Sequence, residues 1–176
     1  MDTQVIAEDR DIVITRRFAA PRPSVWQAWT DPAMMAAWWG PEVFTTSVEI
    51  DVHDGGVCNL TMHGPDGTDY PVDGTFVEVV EPELLVIEFR LDRHPPAWHD
   101  LIRNGFVEAG GHVESYVSGP ILTRVLFESD GDATLVTIRQ HFPSTPLRDA
   151  HLRLGSDIGW GQSFVKLDRL LAGAVA

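Results

Sequence analysis

Six runs of residues between positions 43 and 142 alternate polar and apolar side chains with a period of two, the spacing of a β-strand with one buried face. They cover 43–52, 57–63, 72–81, 84–91, 120–129 and 133–142. Four of the links are turn chemistry: Asp54-Gly55-Gly56, Gly64-Pro65-Asp66-Gly67, Glu81-Pro82-Glu83 and Ser129-Asp130-Gly131-Asp132. Strands joined by such short links pair antiparallel, and a sheet of this kind buries one face against another layer. The C-terminal segment supplies that layer. Trp160, Phe164, Leu167 and Leu171 recur at +4, +7 and +11, an apolar helical stripe that Leu170 widens. The expected class is α+β, with a curved antiparallel sheet around one long C-terminal helix. Such an arrangement leaves room for a cavity between the two layers.

The N-terminal part adds a strand at 12–18, ended by Pro21 and Pro23, and two short helices. The first carries Val25, Trp26, Ala28 and Trp29; the second carries Met34, Met35 and Trp38 and stops before Gly40-Pro41. Asp31-Pro32 reads as the start of the second, because an Asp side chain caps free backbone N–H groups and Pro suits a first turn. One stretch breaks the meander. Residues 92–119 hold Pro95-Pro96, then Trp98, Leu101, Ile102 and Phe106 at helical spacing, then Gly110-Gly111. They read as a helix-bearing insertion between two strands. The chain reads as a single domain over 1–176, with a loosely held first few residues.

Charge narrows the partners. With 13 basic and 26 acidic residues the net charge is −13, and Lys166 is the one lysine. Nucleic acid and anionic membranes call for a basic footprint, and no window supplies one. No apolar run approaches the roughly 18 residues of a membrane span. The N-terminus MDTQVIAEDR is too acidic and polar for a signal peptide, so the expected location is cytoplasmic. Cys58 alone makes neither an internal disulfide nor a CxxC metal site.

Several side chains are candidates for chemistry. Trp26, Trp29, Trp38 and Trp39 read chiefly as packing for the short helices, with one or two at a pocket mouth. Trp160, Phe164 and Leu167 face the sheet. The seven histidines match no common metal spacing; His94, His99, Asp100 and His112 are the one group that could gather around zinc, and surface positions are the simpler reading. Period-two alternation puts Leu85, Ile87 and Phe89 on one face of 84–91 and Leu84, Val86, Glu88 and Arg90 on the other. Leu122, Arg124 and Leu126 share a face in the next strand. A charge among apolar neighbours is paired or functional, so Glu88, Arg90 and Arg124 are the polar candidates, with an ion pair on the wet sheet face as the alternative. Cys58 reads as buried filler. No GxSxG, phosphate loop or dinucleotide fingerprint is present.

One ordered set of short pieces carries a family resemblance. It runs from Ile14-Thr15-Arg16, Phe18 and Pro21 through Val25-Trp26 and Trp29-Thr30 to Asp31-Pro32 and Trp38-Trp39-Gly40-Pro41. Gly56, Gly64-Pro65-Asp66-Gly67, Tyr70-Pro71, Gly74, Glu81-Pro82, Leu84-Leu85-Val86, Thr134-Leu135-Val136 and Gly159-Trp160 continue it. In these pieces the chain resembles the bacterial proteins similar to the activator of Hsp90 ATPase, within the START/Bet v 1-like (SRPBCC) superfamily. The resemblance implies a helix-grip fold with an internal cavity. The expected function is binding of a small hydrophobic or aromatic molecule there, without a cofactor. The residues expected to line the site are Trp38, Trp39, Glu88, Arg90, Trp98, Phe106, Arg124, Trp160 and Phe164. Two alternatives stay open: a cofactor-independent enzyme of cyclase, dehydratase or hydrolase type in the same cavity, and a chaperone-related interaction module. A homodimer through a sheet edge or the insertion is the assembly considered.

Overall fold

The computed structural model describes residues 3–174. Eight antiparallel strands form one sheet in the order β1-β2-β8-β7-β6-β5-β4-β3. The six runs read from alternation are β3 (Thr45–Ile50), β4 (Cys58–His63), β5 (Asp69–Val80), β6 (Leu84–Arg90), β7 (Ile121–Asp130) and β8 (Ala133–His141). The N-terminal strand is β2 (Asp11–Phe18), which pairs with β8, the last strand in the chain. A strand lies where a loosely held start was expected: β1 (Gln4–Glu8) folds back on β2 around a two-residue turn in which Asp9 takes φ +50°. Residues 1 and 2, also covered by that expectation, lie outside the described residues.

The inward face follows from burial. Leu85, Ile87 and Phe89 of β6, Ile121, Val125 and Phe127 of β7, and Val136 and Ile138 of β8 are all buried. Glu88 and Arg90 share the opposite face of β6. In β5 a bulge between Phe76 and Glu78 shifts the register and adds local twist, helping the sheet curve. Gly74 of β5 is crowded by both neighbouring strands, since a Cβ there would lie 2.5 Å from the Cys58 carbonyl oxygen and 2.9 Å from the Phe89 ring.

Helix α1 (Arg22–Thr30) and helix α2 (Pro32–Trp38) follow β2. As expected, the Asp31 carboxylate caps α2, accepting from the Met34 N–H at 2.8 Å. The Trp38 indole donates to the Ala28 carbonyl at 2.8 Å and ties the two helices together. Helix α5 (Ser156–Ala174) lies across the concave face, with Phe164, Leu167 and Leu171 buried. Phe164 meets Phe18 of β2 edge-on, with ring centroids 5.2 Å apart. The helix-grip expectation holds.

The stretch 92–119 carries α3 (Pro96–Glu108) and a single 3-10 turn at Val113–Ser115. It packs on a helix that alternation did not reveal, α4 (Thr145–Arg153), which is capped by the Ser144 hydroxyl. Gly105 allows the close approach: a Cβ there would sit 3.3 Å from the Ala150 Cβ. Arg153 and Glu108 pair across the two helices at 3.1 Å. Among the described residues no helix is long and apolar enough to cross a membrane.

Candidate functional site

Between the concave face of the sheet and the start of α5 lies a cavity of about 270 Å³. Its existence traces to side-chain size along α5. Gly155, Ser156, Gly159 and Ser163, at and beyond the start of the helix, border the cavity. Farther along, Phe164, Leu167 and Leu171 fill the corresponding space. Aromatic rings make the walls: Trp39 after α2, Phe89 of β6, Trp98 of α3, Phe142 after β8 and Trp160 of α5. Trp160 and Trp39 meet edge-on at 5.2 Å, and Trp39 and Phe89 lie 5.9 Å apart. α3 and α4 close one end, through Trp98 and Ile102 on one and His151 and Leu154 on or beside the other. The insertion is thus a wall of the cavity.

The rim at 39–44 is held by α5. The Lys166 ammonium donates to the carbonyls of Trp39, Gly40 and Phe44 at 3.3–3.5 Å. Gln162 accepts from the Glu42 N–H at 3.1 Å, and Arg169 pairs with the Glu42 carboxylate at 2.7 Å. Residues 162, 166 and 169 share one helix face. Burial draws the Lys166 amine below its ordinary pKa.

Few polar groups reach the cavity, and each has a defined state. The Gln140 amide oxygen accepts from the Trp160 indole N–H at 3.2 Å. The Ser163 hydroxyl donates to the Gly159 carbonyl at 2.9 Å. His94, 7% exposed, donates from Nδ1 to the Pro71 carbonyl at 2.9 Å. Its ring packs on Trp98 at 4.5 Å and on Tyr70 at 5.6 Å. His151, 8% exposed, packs on Phe142 at 4.9 Å and lies 5.7 Å from Trp98 on the other side. Burial pushes the His94 imidazole down to about 4, against an upward pull from its bond to Pro71. Burial pushes His151 down to about 3, and His94 nearby adds to the drop. Both are neutral at pH 7. The simpler expectation of surface histidines in the insertion is overturned at His94, which is buried.

Of the residues expected from sequence, Trp39, Trp98 and Trp160 come together at the cavity. Trp38 and Phe164 are fully buried behind it, 6.5 Å apart in the dry core. Phe106 is buried against Tyr116 at 5.3 Å and fixes the insertion. Glu88 and Arg90 do not reach the cavity; they form an ion pair at 3.1 Å on the solvent face of β6. Arg124 is exposed on the same side, opposite Val86 and Arg139. Outward pleat positions carry these charges, where water solvates them at no cost. Sequence reasoning passed over Gln140, although a signal existed: Val136, Ile138, Gln140 and Phe142 form an alternating row with one polar member. Cys58 is buried, and burial pushes its thiol up to about 12, which leaves it inert. Among the described residues no three His, Cys, Asp or Glu side chains gather closely enough to hold a metal, so His94, His99, Asp100 and His112 do not form a zinc set.

Solved structures with the same fold span nearly the whole chain. A crystal structure from Rhodobacter sphaeroides aligns with TM-score 0.80 at 18% identity, covering 98% of this chain and 99% of that one. A solution structure from Arthrobacter aurescens aligns at 0.77 and 23% identity, covering 97% and 91%. CalU16 from Micromonospora echinospora aligns at 0.60 and 19% identity, covering 99% and 85%. At these identities the likeness concerns fold alone. No curated protein matches the sequence. The family model described as activator of Hsp90 ATPase homolog 1-like protein matches residues 19–172, from the end of β2 to the last turns of α5, and the chain belongs to that family.

Proposed function

We propose that this protein binds a small, compact aromatic or hydrophobic molecule in the cavity between its sheet and α5. The observation that carries the reading is the cavity itself, about 270 Å³ walled by Trp39, Phe89, Trp98, Phe142 and Trp160. Its volume is just below the range of roughly 300–1,000 Å³ usual for small-molecule sites, which favours a compact ring system over a long chain. Aromatic walls suit an aromatic guest through edge-to-face and offset contacts. Gly and Ser along the start of α5 support the reading further, because larger residues there would fill the space.

Native mass spectrometry of freshly purified protein, with tryptophan fluorescence during titration with naphthalene, tests it. A bound mass, or saturable quenching of Trp39 and Trp160, is expected. Gly159→Leu should remove the response while the circular dichroism stays unchanged: a Cβ at position 159 has Pro41 as its nearest neighbour at 4.0 Å, so the new side chain grows into open volume. Repeated absence of both bound mass and quenching in the wild-type protein would overturn the reading.

A further inference from the structure

The polar end of the cavity narrows the ligand class. His94 lies at the start of the insertion and lines the cavity. Its Nδ1 faces the Pro71 carbonyl oxygen at 2.9 Å. A carbonyl only accepts, so Nδ1 carries the proton and Nε2 of the neutral ring is left as a bare lone pair. No described residue bonds to that Nε2, in a side chain more than nine-tenths buried. It differs in this from His151, whose Nε2 is sealed inside the wall without a partner. Trp98 packs against His94 at 4.5 Å and holds the imidazole plane in place. Across the cavity, Gln140 spends its amide oxygen on Trp160, so its NH2 group is the part left to donate. No arginine or lysine is among the residues lining the cavity.

We propose that the cavity selects an uncharged aromatic molecule bearing a hydroxyl group, with the hydroxyl donating its hydrogen to Nε2 of His94. The inference rests on the cavity-binding reading above and adds the chemical class. A carboxylate would meet a lone pair and aromatic walls with no cation to offset its lost hydration. A hydrocarbon would cover that acceptor and leave it unsatisfied. A hydroxyl satisfies it and carries no charge. Low pH opposes binding, since a protonated His94 no longer accepts; the other titratable rings facing it are Tyr70 of β5, His99 of α3 and, beyond Trp98, His151 of α4.

Four probes on the full chain at neutral pH separate the possibilities: naphthalene, β-naphthol, its methyl ether and β-naphthoate, each measured by calorimetric titration. β-Naphthol should bind about tenfold more tightly than the methyl ether, which keeps the ring and the oxygen but carries a methyl group in place of the hydrogen it would donate. β-Naphthoate should bind most weakly. His94→Phe should erase the preference for naphthol over the ether. Equal binding of naphthol and its ether by the wild-type protein would overturn the hydroxyl assignment while leaving the cavity-binding reading intact. A preference that survives in His94→Phe would overturn the role of His94, and tighter binding of the naphthoate would overturn selection for a neutral ligand. Binding of none of the four would overturn the cavity-binding reading together with this inference. Because the naphthol–ether comparison uses the wild-type chain, it decides the matter even if the variant fails to fold.

Discussion

The two halves of α5 face the same sheet and do opposite things. Toward its C-terminal end, Phe164, Leu167 and Leu171 are buried, and Phe164 packs edge-on against Phe18. Around its N-terminal end, Gly155, Ser156, Gly159 and Ser163 stop short of the sheet, and the gap is capped by α3 and α4, which bring two buried histidines with them. A single helix therefore serves as core in one half and as cavity wall in the other. The distinction comes from side-chain volume, because both halves keep the same backbone and the same facing surface. Stability should concentrate where packing is complete, and recognition where it is not.

The strongest way to break this comparison is Phe164→Ala. It opens a void beside Phe18 and Trp38 in the buried core, and loss of about 3–5 kcal/mol is expected in urea unfolding. A loss below ~1 kcal/mol would mean that the dry half is looser than its burial indicates. The pH dependence probes the other half. The pKa values of His94 and His151 are depressed by folding, so between about pH 6.5 and their folded values the unfolded chain binds more protons than the native one. Their stabilising contribution is complete above about pH 6.5 and shrinks as pH falls toward about 4 for His94 and about 3 for His151. Each contributes a slope of about 1.4 kcal/mol per pH unit inside its window. Replacing His151 by Phe should flatten the acid limb of a stability–pH curve; an unchanged slope would show that the ring is hydrated or already charged. The smallest effect belongs to the wet face of the sheet. Glu88→Ala or Arg90→Ala removes an exposed ion pair, and a change within ~0.5 kcal/mol is expected in the same unfolding assay, with naphthalene binding unaltered. A large effect on binding would return those residues to the site.

Particular residues show how far reading the chain can go. The alternation Leu85, Ile87, Phe89 against Glu88, Arg90 gave the relative facing in β6 correctly. It did not say which face was concave, and that ambiguity sent Glu88, Arg90 and Arg124 into the candidate site. The short strand β1 was missed because its apolar residues Val5, Ile6 and Ala7 are consecutive and do not alternate, and Gln4–Glu8 becomes a strand through pairing with β2. Helix α4 was missed for a related reason: nine residues are too few for a clear stripe, and its stability comes from the Ser144 cap and from packing on Gly105 and α3. His151 carries no local mark at all. Its role depends on Trp98, more than fifty positions earlier, being folded against it.

Local pattern alone determined most of the elements and their order, β1 and α4 excepted: period-two runs for six strands, Asp31 as a helix cap, and a period-3.6 stripe for α5. These follow from contacts between near neighbours, which the order of residues specifies directly. The tertiary structure decided which sheet face is inside, how the insertion closes one end of the cavity, and which of seven histidines lose their water. Those outcomes depend on the surroundings that distant segments create, and burial, tautomer and charge state are properties of surroundings.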